Sequence, residues 1–180
     1  MDPWRRVGSK RLQACRVFDL DRVRLAPPDG GAEEDFFVLD APDWVNVVPI
    51  TRDREVVLIR QFRFGVEDVT LEIPGGMCDD GESPLEAAAR ELREETGYVA
   101  REVVPLGWVQ PNPAIQTNRC HSFLALDAGA EGAASPDPHE RIEVVRVPLD
   151  RIPALVRGGE IRHALVIAAF HFVWLRESGS

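Results

Sequence analysis

Two segments, Trp44–Ile50 and residues 55–64, are crowded with β-branched and apolar side chains and separated by the turn-like Thr51-Arg52-Asp53-Arg54, a pattern that predicts adjacent central strands. Leu71-Glu72-Ile73-Pro74 reads as a shorter strand stopped by proline, after which Gly75-Gly76 lets the backbone pass close to a ligand. Glu102–Val109 and Cys120–Leu126 read as strands flanking the rigid corner Pro111-Asn112-Pro113, and residues 142–147 alternate as one more before Pro148. Residues 129–139, rich in Gly, Ala, Pro and Ser, predict a mobile loop of the kind that serves as a lid or binding segment.

Between these strands the period changes to that of a helix. Leu85, Ala88, Ala89 and Leu92 form an apolar stripe that starts after Ser83-Pro84-Leu85-Glu86, a capping box with proline at the first helical position, and stops at Gly97. Glu91, Glu94 and Glu95 follow at spacings of three and four, so a helix throws all three carboxylates off one face. Like charges so close repel one another, and their clustering implies a counter-charge; hard oxygen ligands in a row suit Mg²⁺ or Mn²⁺. Residues 150–157 predict a short helix and residues 162–176 a longer closing one.

Ahead of this body, residues 12–25 alternate like a strand, Pro27-Pro28-Asp29-Gly30-Gly31 makes a turn, and residues 36–39 read as the returning strand. The expected organisation is an N-terminal β-hairpin extension over residues 1–43, which packs on the body or on a second chain, and a catalytic domain over residues 44–180. Strands before and after a central helix, with another helix at the end, imply an α+β fold, an α/β/α sandwich on a mixed central sheet.

A chain of 180 residues fits one core-forming domain with terminal additions. A net charge of -9 argues against binding nucleic acid or an anionic membrane, both of which call for a basic surface. The apolar run from Ala164 to Leu175 is too short to span a bilayer, and the basic amino terminus has no apolar run behind it, so neither a membrane span nor a secretory signal is expected. Cys15, Cys78 and Cys120 have no zinc-type spacing and favour reduced thiols in the cytoplasm.

Written out, Gly76-x5-Glu82-x7-Arg90-Glu91-Leu92-x-Glu94-Glu95-x-Gly97-Tyr98 resembles the signature of the Nudix hydrolases, departing only at Tyr98, where the family usually has an aliphatic residue. The resemblance covers roughly residues 44–175 and agrees with the Nudix fold. It implies hydrolysis of a diphosphate, with Glu91, Glu95 and the Gly75 carbonyl holding one metal ion, Glu94 binding or sharing a second, and Arg90 orienting the carboxylates. Glu82 is either an acid behind these ligands or a solvated carboxylate.

Pro113, fifteen residues beyond Tyr98, and the strings Arg60-Gln61-Phe62-Arg63 and Leu71-Glu72-Ile73-Pro74 are similar to the ADP-ribose pyrophosphatase and nucleoside-diphosphate-sugar branch. That branch implies a small-molecule substrate, a homodimer that exchanges N-terminal extensions, and a general base from a loop after the helix, matched here by Glu140 with Glu143 in reserve. Arg63 is then a candidate to grip the pyrophosphate or terminal sugar phosphate, Glu72 to accept from ribose or base, and Trp44 to stack on the base, with a structural role weighed against this for Trp44 and Arg63. His121 and His163 sit in apolar surroundings and read as packing residues. A nucleoside triphosphate pyrophosphohydrolase is the alternative substrate reading. A non-catalytic metabolite-sensing module is the alternative of another class, although such sensors usually lose a metal glutamate and none is missing here.

Overall fold

The structure, a computed structural model, describes residues 1–135 and 141–179. It divides the chain into two units, one of Met1–Pro42 with Gln110–Arg119 and the other of Asp43–Val109 with Cys120–Ser180.

The first unit is an antiparallel sheet of β1 (Arg5–Ala14), β2 (Asp19–Ala26) and β3 (Glu34–Asp40), in that order. The extension therefore has three strands where a hairpin was expected, and the predicted strand 12–25 straddles the turn between the first two. β1 is exposed along nearly its whole length, so no apolar alternation marks it. Ladder pairing holds it instead, together with charge pairs such as Arg11 with Asp19, Asp21 and Asp40. The corner after Gln110 belongs to this unit as well: Leu39 N–H donates to the Ile115 carbonyl at 2.7 Å, Thr117 N–H returns to the Leu39 carbonyl at 3.1 Å, and Asn118 Nδ2 donates to the Pro42 carbonyl at 3.1 Å.

The second unit begins with β4 (Trp44–Ile50), β5 (Glu55–Arg63), β6 (Asp68–Glu72) and β7 (Gly75–Met77), followed by α1 (Pro84–Thr96). β8 (Tyr98–Val99), β9 (Glu102–Val109), β10 (Cys120–Leu126), β11 (Gly129–Ala130) and β12 (Ile142–Pro148) come next, then a 3₁₀ turn at Leu149–Arg151, α2 (Ile152–Arg157) and α3 (Ala164–Ser178). The main sheet has seven strands in the order β12-β5-β4-β10-β9, with β6 on β5 and β7 on β4. β4 and β10 run parallel, while the other pairs are antiparallel, which makes it the mixed sheet that was expected.

Strand alternation sends side chains to two separate cores. Val45, Val47, Phe123 and Ala125 pack with Ala87, Ala88 and Leu92 of α1, whereas Val48, Ile50, Val56, Leu58 and Leu124 pack with α2 and α3 on the other face. At about 1.5–3 kcal/mol for each fully buried aliphatic side chain, the first of these layers supplies the main force fixing α1 against the sheet, and the second that fixing α2 and α3. β4 and β5 pair at Ile50 and Val56 and then part, and the chain crosses the gap at Ile73-Pro74, leaving β5's ladder for that of β4. That crossing sets Gly75 at the split in the sheet, under the end of α1.

Part of the predicted mobile loop is docked. β11 pairs with β8, Glu131 and Gly132 donate to the Gly97 carbonyl at 3.0 and 3.3 Å, and Ser135 donates to the Glu94 carbonyl at 2.8 Å. Residues 136–140, and with them the candidate base Glu140, lie outside the described residues.

Candidate active site

α1 forms where its caps dictate. Ser83 Oγ accepts from the Glu86 amide at 3.3 Å, the Glu86 carboxylate accepts from the Ser83 amide at 2.9 Å, Pro84 occupies the first turn, and Gly97 closes the helix at φ 73°. Glu95, 1% exposed, turns back to accept from Gly75 N–H at 2.9 Å. The register explains why that amide is available: Val45 faces Gly76 and Asn46 faces Gly75, and ladder bonds alternate, so Gly75 turns both its N–H and its carbonyl away from β4. At Gly75 nothing larger than glycine fits without moving backbone, and at Gly76 a side chain displaces the carboxylate of Glu91. A Cβ on Gly75 would lie 2.2 Å from the Val45 carbonyl oxygen, and one on Gly76 would lie 2.3 Å from Glu91 Oε1.

Arg90 gathers the remaining acids. Its Nε and Nη2 grip the two Glu82 oxygens at 2.9 Å each, Nη1 donates to Glu91 Oε1 at 2.8 Å and to Glu94 Oε2 at 3.2 Å, and Nη2 also reaches the Met77 carbonyl at 3.0 Å. The hydrogen bond to Glu82 does most to raise the Arg90 pKa above its ordinary value, and the same bond holds Glu82 below the usual carboxylate range. Glu82 is thus the partner that anchors Arg90, and not a loose surface acid.

The fit to a divalent ion can be judged from this geometry. Among the described residues no three His, Cys, Asp or Glu side chains converge into a preassembled cage. Glu91 and Glu94 are drawn onto Arg90 and Glu95 onto an amide. The donors are nevertheless all hard oxygens: three carboxylates on one helix face, and the Gly75 carbonyl beside a cradle that a Cβ on Gly76 would fill. That set fits Mg²⁺ or Mn²⁺ better than a soft metal.

Arg63 and Glu72 lie on the same side of the sheet as α1, because Leu71 and Ile73 pack with α3 and Glu72 between them points the other way. Glu72 is 2% exposed and accepts four bonds: from Arg63 Nε at 2.9 Å and Thr70 Oγ1 at 2.6 Å on Oε1, and from Arg63 Nη2 at 2.7 Å and His163 Nδ1 at 3.0 Å on Oε2. Burial pushes this carboxyl up, but the bonds from Arg63, His163 and Thr70 outweigh burial and hold it well below the usual carboxylate range. A carboxylate has about four acceptor positions. All are filled, so the place expected for Glu72 as a direct contact to ribose or base becomes one of holding Arg63.

Other candidates are not brought to the carboxylates. Val45 and Val47 face α1, so Trp44 lies on the opposite side of β4. Glu143 pairs with Arg60 across the β5–β12 ladder at 3.7 Å, on the face away from α1. Cys78 is no thiolate nucleophile: burial pushes its thiol up to about 11. Sequence reasoning missed Thr70 and took His163, which bonds Glu72, for a packing residue. The signal for the latter was its position, since His163 is the N-cap of α3, where Ser, Thr, Asp or Asn is preferred.

Comparison with known proteins places this arrangement. The NUDIX domain profile matches residues 42–170. The chain is 30% identical to an ADP-ribose pyrophosphatase of Bacillus subtilis over 96% of its own length and 93% of that protein's. It is 32% identical to an ADP compounds hydrolase of Escherichia coli over 75% of this chain and 73% of that one, and 36% identical to an ADP-ribose pyrophosphatase of Saccharomyces cerevisiae over 80% and 69%. A crystal structure of an ADP compounds hydrolase superposes with a TM-score of 0.85 at 27% identity, covering 99% of this chain and 97% of that one. The match runs from the start of β4 into the first half of α3 and takes in the capped helix and its glycine cradle, and on these grounds the chain belongs to the Nudix family.

Proposed function

We propose that this protein hydrolyses the pyrophosphate bond of a nucleoside diphosphate sugar of the ADP-ribose type, releasing a nucleoside monophosphate and a sugar phosphate. The observation that carries the reading is the excess of acid over base along α1 and the turn just ahead of it, where Glu82, Glu91 and Glu94 share the guanidinium of Arg90 beside a backbone kept free of side chains. The names of the relatives supply the substrate class.

Glu91, Glu94, Glu95 and the Gly75 carbonyl hold Mg²⁺ or Mn²⁺, which supplies the positive charge that a diphosphate and an attacking water both need. Arg90 orients Glu91 and Glu94 and keeps them from swinging into solvent. Arg63 grips a phosphate oxygen, its guanidinium held by Glu72. Glu140 takes the proton from the attacking water.

Two further proposals concern the setting. Trp4, Phe36 and Phe37 are exposed on the N-terminal sheet, with Trp4 edge-on to Phe36 at 5.7 Å, and residues 1–43 make the contact of a homodimer. Sedimentation as a monomer at micromolar concentration contradicts this. All three cysteines are free thiols, which fits a cytoplasmic protein, and the net charge of -9 fits one that binds neither nucleic acid nor an anionic membrane.

The test is turnover with Mg²⁺ across ADP-ribose, GDP-mannose, UDP-glucose and the nucleoside triphosphates, with and without chelator. Chelator-sensitive release of a nucleoside monophosphate from the sugar nucleotides is expected. Turnover confined to triphosphates overturns the substrate assignment, and binding without turnover points to a sensor.

A further inference from the structure

His163 occupies the N-cap of α3 yet makes no side-chain cap there; its Nδ1 instead meets Glu72 Oε2 at 3.0 Å. An ionised carboxylate can only accept, so Nδ1 carries the hydrogen. The neighbouring Arg162 pairs with Asp68 at 2.7 Å, so consecutive residues ahead of α3 grip the two ends of β6. Across the ladder from Asp68 stands Arg63, whose Nε and Nη2 fork onto both oxygens of Glu72.

A forked guanidinium lies in the plane of its carboxylate and turns with it. The terminal torsion of a glutamate is soft, so that plane is set by whatever else holds the oxygens. Here the other holds are Thr70 on Oε1 and His163 on Oε2. We propose that His163 is a positioning residue: acting through Glu72, it sets the plane of the Arg63 guanidinium and so the grip of Arg63 on a substrate phosphate. This rests on the reading of the chain as a diphosphate hydrolase. It also ties the placement of α3 to the geometry of a side chain on the α1 side of the sheet.

The experiment compares His163→Leu, which removes the donor, with His163→Asn, whose amide nitrogen can take the place of Nδ1. Each is made in the full chain and again in an Arg63→Lys background, where the fork is gone. With ADP-ribose and Mg²⁺, His163→Leu is expected to raise KM about tenfold while kcat stays within about twofold, as befits loss of one hydrogen bond to a charged group. His163→Asn should stay within about threefold of the wild type, and in the Arg63→Lys background His163→Leu should add less than about twofold. An equal effect in both backgrounds, a fall in kcat at constant KM, or no rescue by asparagine overturns the proposal.

Should His163→Leu fail to fold, Thr70→Val removes the other hold and is expected to raise KM in the same Arg63-dependent way; an unchanged KM refutes the positioning role. If the wild type cleaves no sugar nucleotide, the functional reading falls by itself. The same variants are then compared by calorimetry with inorganic pyrophosphate: weaker binding in His163→Leu but not His163→Asn supports the positioning role, and equal binding refutes it.

Discussion

Around α1, the carboxylates of Glu82, just ahead of the helix, and of Glu91 and Glu94 on it share one guanidinium, while Glu95 has a backbone amide; at the end of β6 a single carboxylate, Glu72, takes four donors. Both groups are fixed by an arginine fork, but the balance is reversed. Where acids outnumber cations, the surplus charge is relieved by an added cation, and Glu94, its side chain 41% exposed, is open to one. Where donors fill every acceptor position, nothing is left to bind, and the group serves to orient its neighbours. Spacing made Glu91, Glu94 and Glu95 candidates to hold a metal, while family resemblance made Glu72 a candidate to touch substrate. Hydrogen-bond accounting separates them.

The largest expected effect is on the acid-rich side. Glu95→Gln keeps an oxygen for the Gly75 amide but loses the charge, and turnover should fall by more than about 10²-fold with the fold intact, beyond what is usual for residues that merely support ligands. Steady-state kinetics alongside circular dichroism checks this; near-normal turnover would erase the distinction between the two clusters.

The glycines give the next contrast. A methyl on Gly75 meets the Val45 backbone oxygen at 2.2 Å, so Gly75→Ala should cost about 1–3 kcal/mol of stability in a denaturant titration. A methyl on Gly76 meets the movable end of Glu91 at 2.3 Å, so Gly76→Ala should leave stability nearly unchanged but weaken Mn²⁺ binding measured by calorimetry.

Glu72→Gln should cost about 2 kcal/mol, less than the 3–5 typical of a fully buried pair because the side chain left behind, Arg63, is 41% exposed. The smallest effect is in acid. Glu72 titrates below its unfolded value of about 4.3, so its contribution is complete above that pH and is lost as pH falls toward the lower folded value. The stability gap between wild type and Glu72→Gln should therefore narrow below about pH 4; a gap that widens would mean Glu72 is held neutral.

Much of this was legible in the sequence where local rules govern. The capping box at Ser83, the stop at Gly97 and the β-branched strand Trp44–Ile50 fall where local propensity puts them, because propensity and burial agree there. β1 was not legible: it has ten residues and almost no buried side chain, so its strand character comes from pairing with β2, which no local pattern reports. Glu72 was reached through the resemblance carried by Leu71-Glu72-Ile73-Pro74, and the structure keeps it near Arg63 but in another role. Its partner His163 lies 91 residues away, and a contact of that separation leaves no trace in spacing. The side of the sheet faced by Trp44 and Glu143 likewise depends on which core each strand feeds, a property of the assembled sheet.

The most direct measurement is a calorimetric titration of Mn²⁺ into the wild-type protein and into the Glu91→Gln/Glu95→Gln double variant, in the absence of substrate. The account predicts saturable binding to the wild type and loss of it in the variant, with both proteins folded. No binding to the wild type, or equal binding to the two proteins, would contradict the claim that α1 is the metal-holding element of a hydrolase.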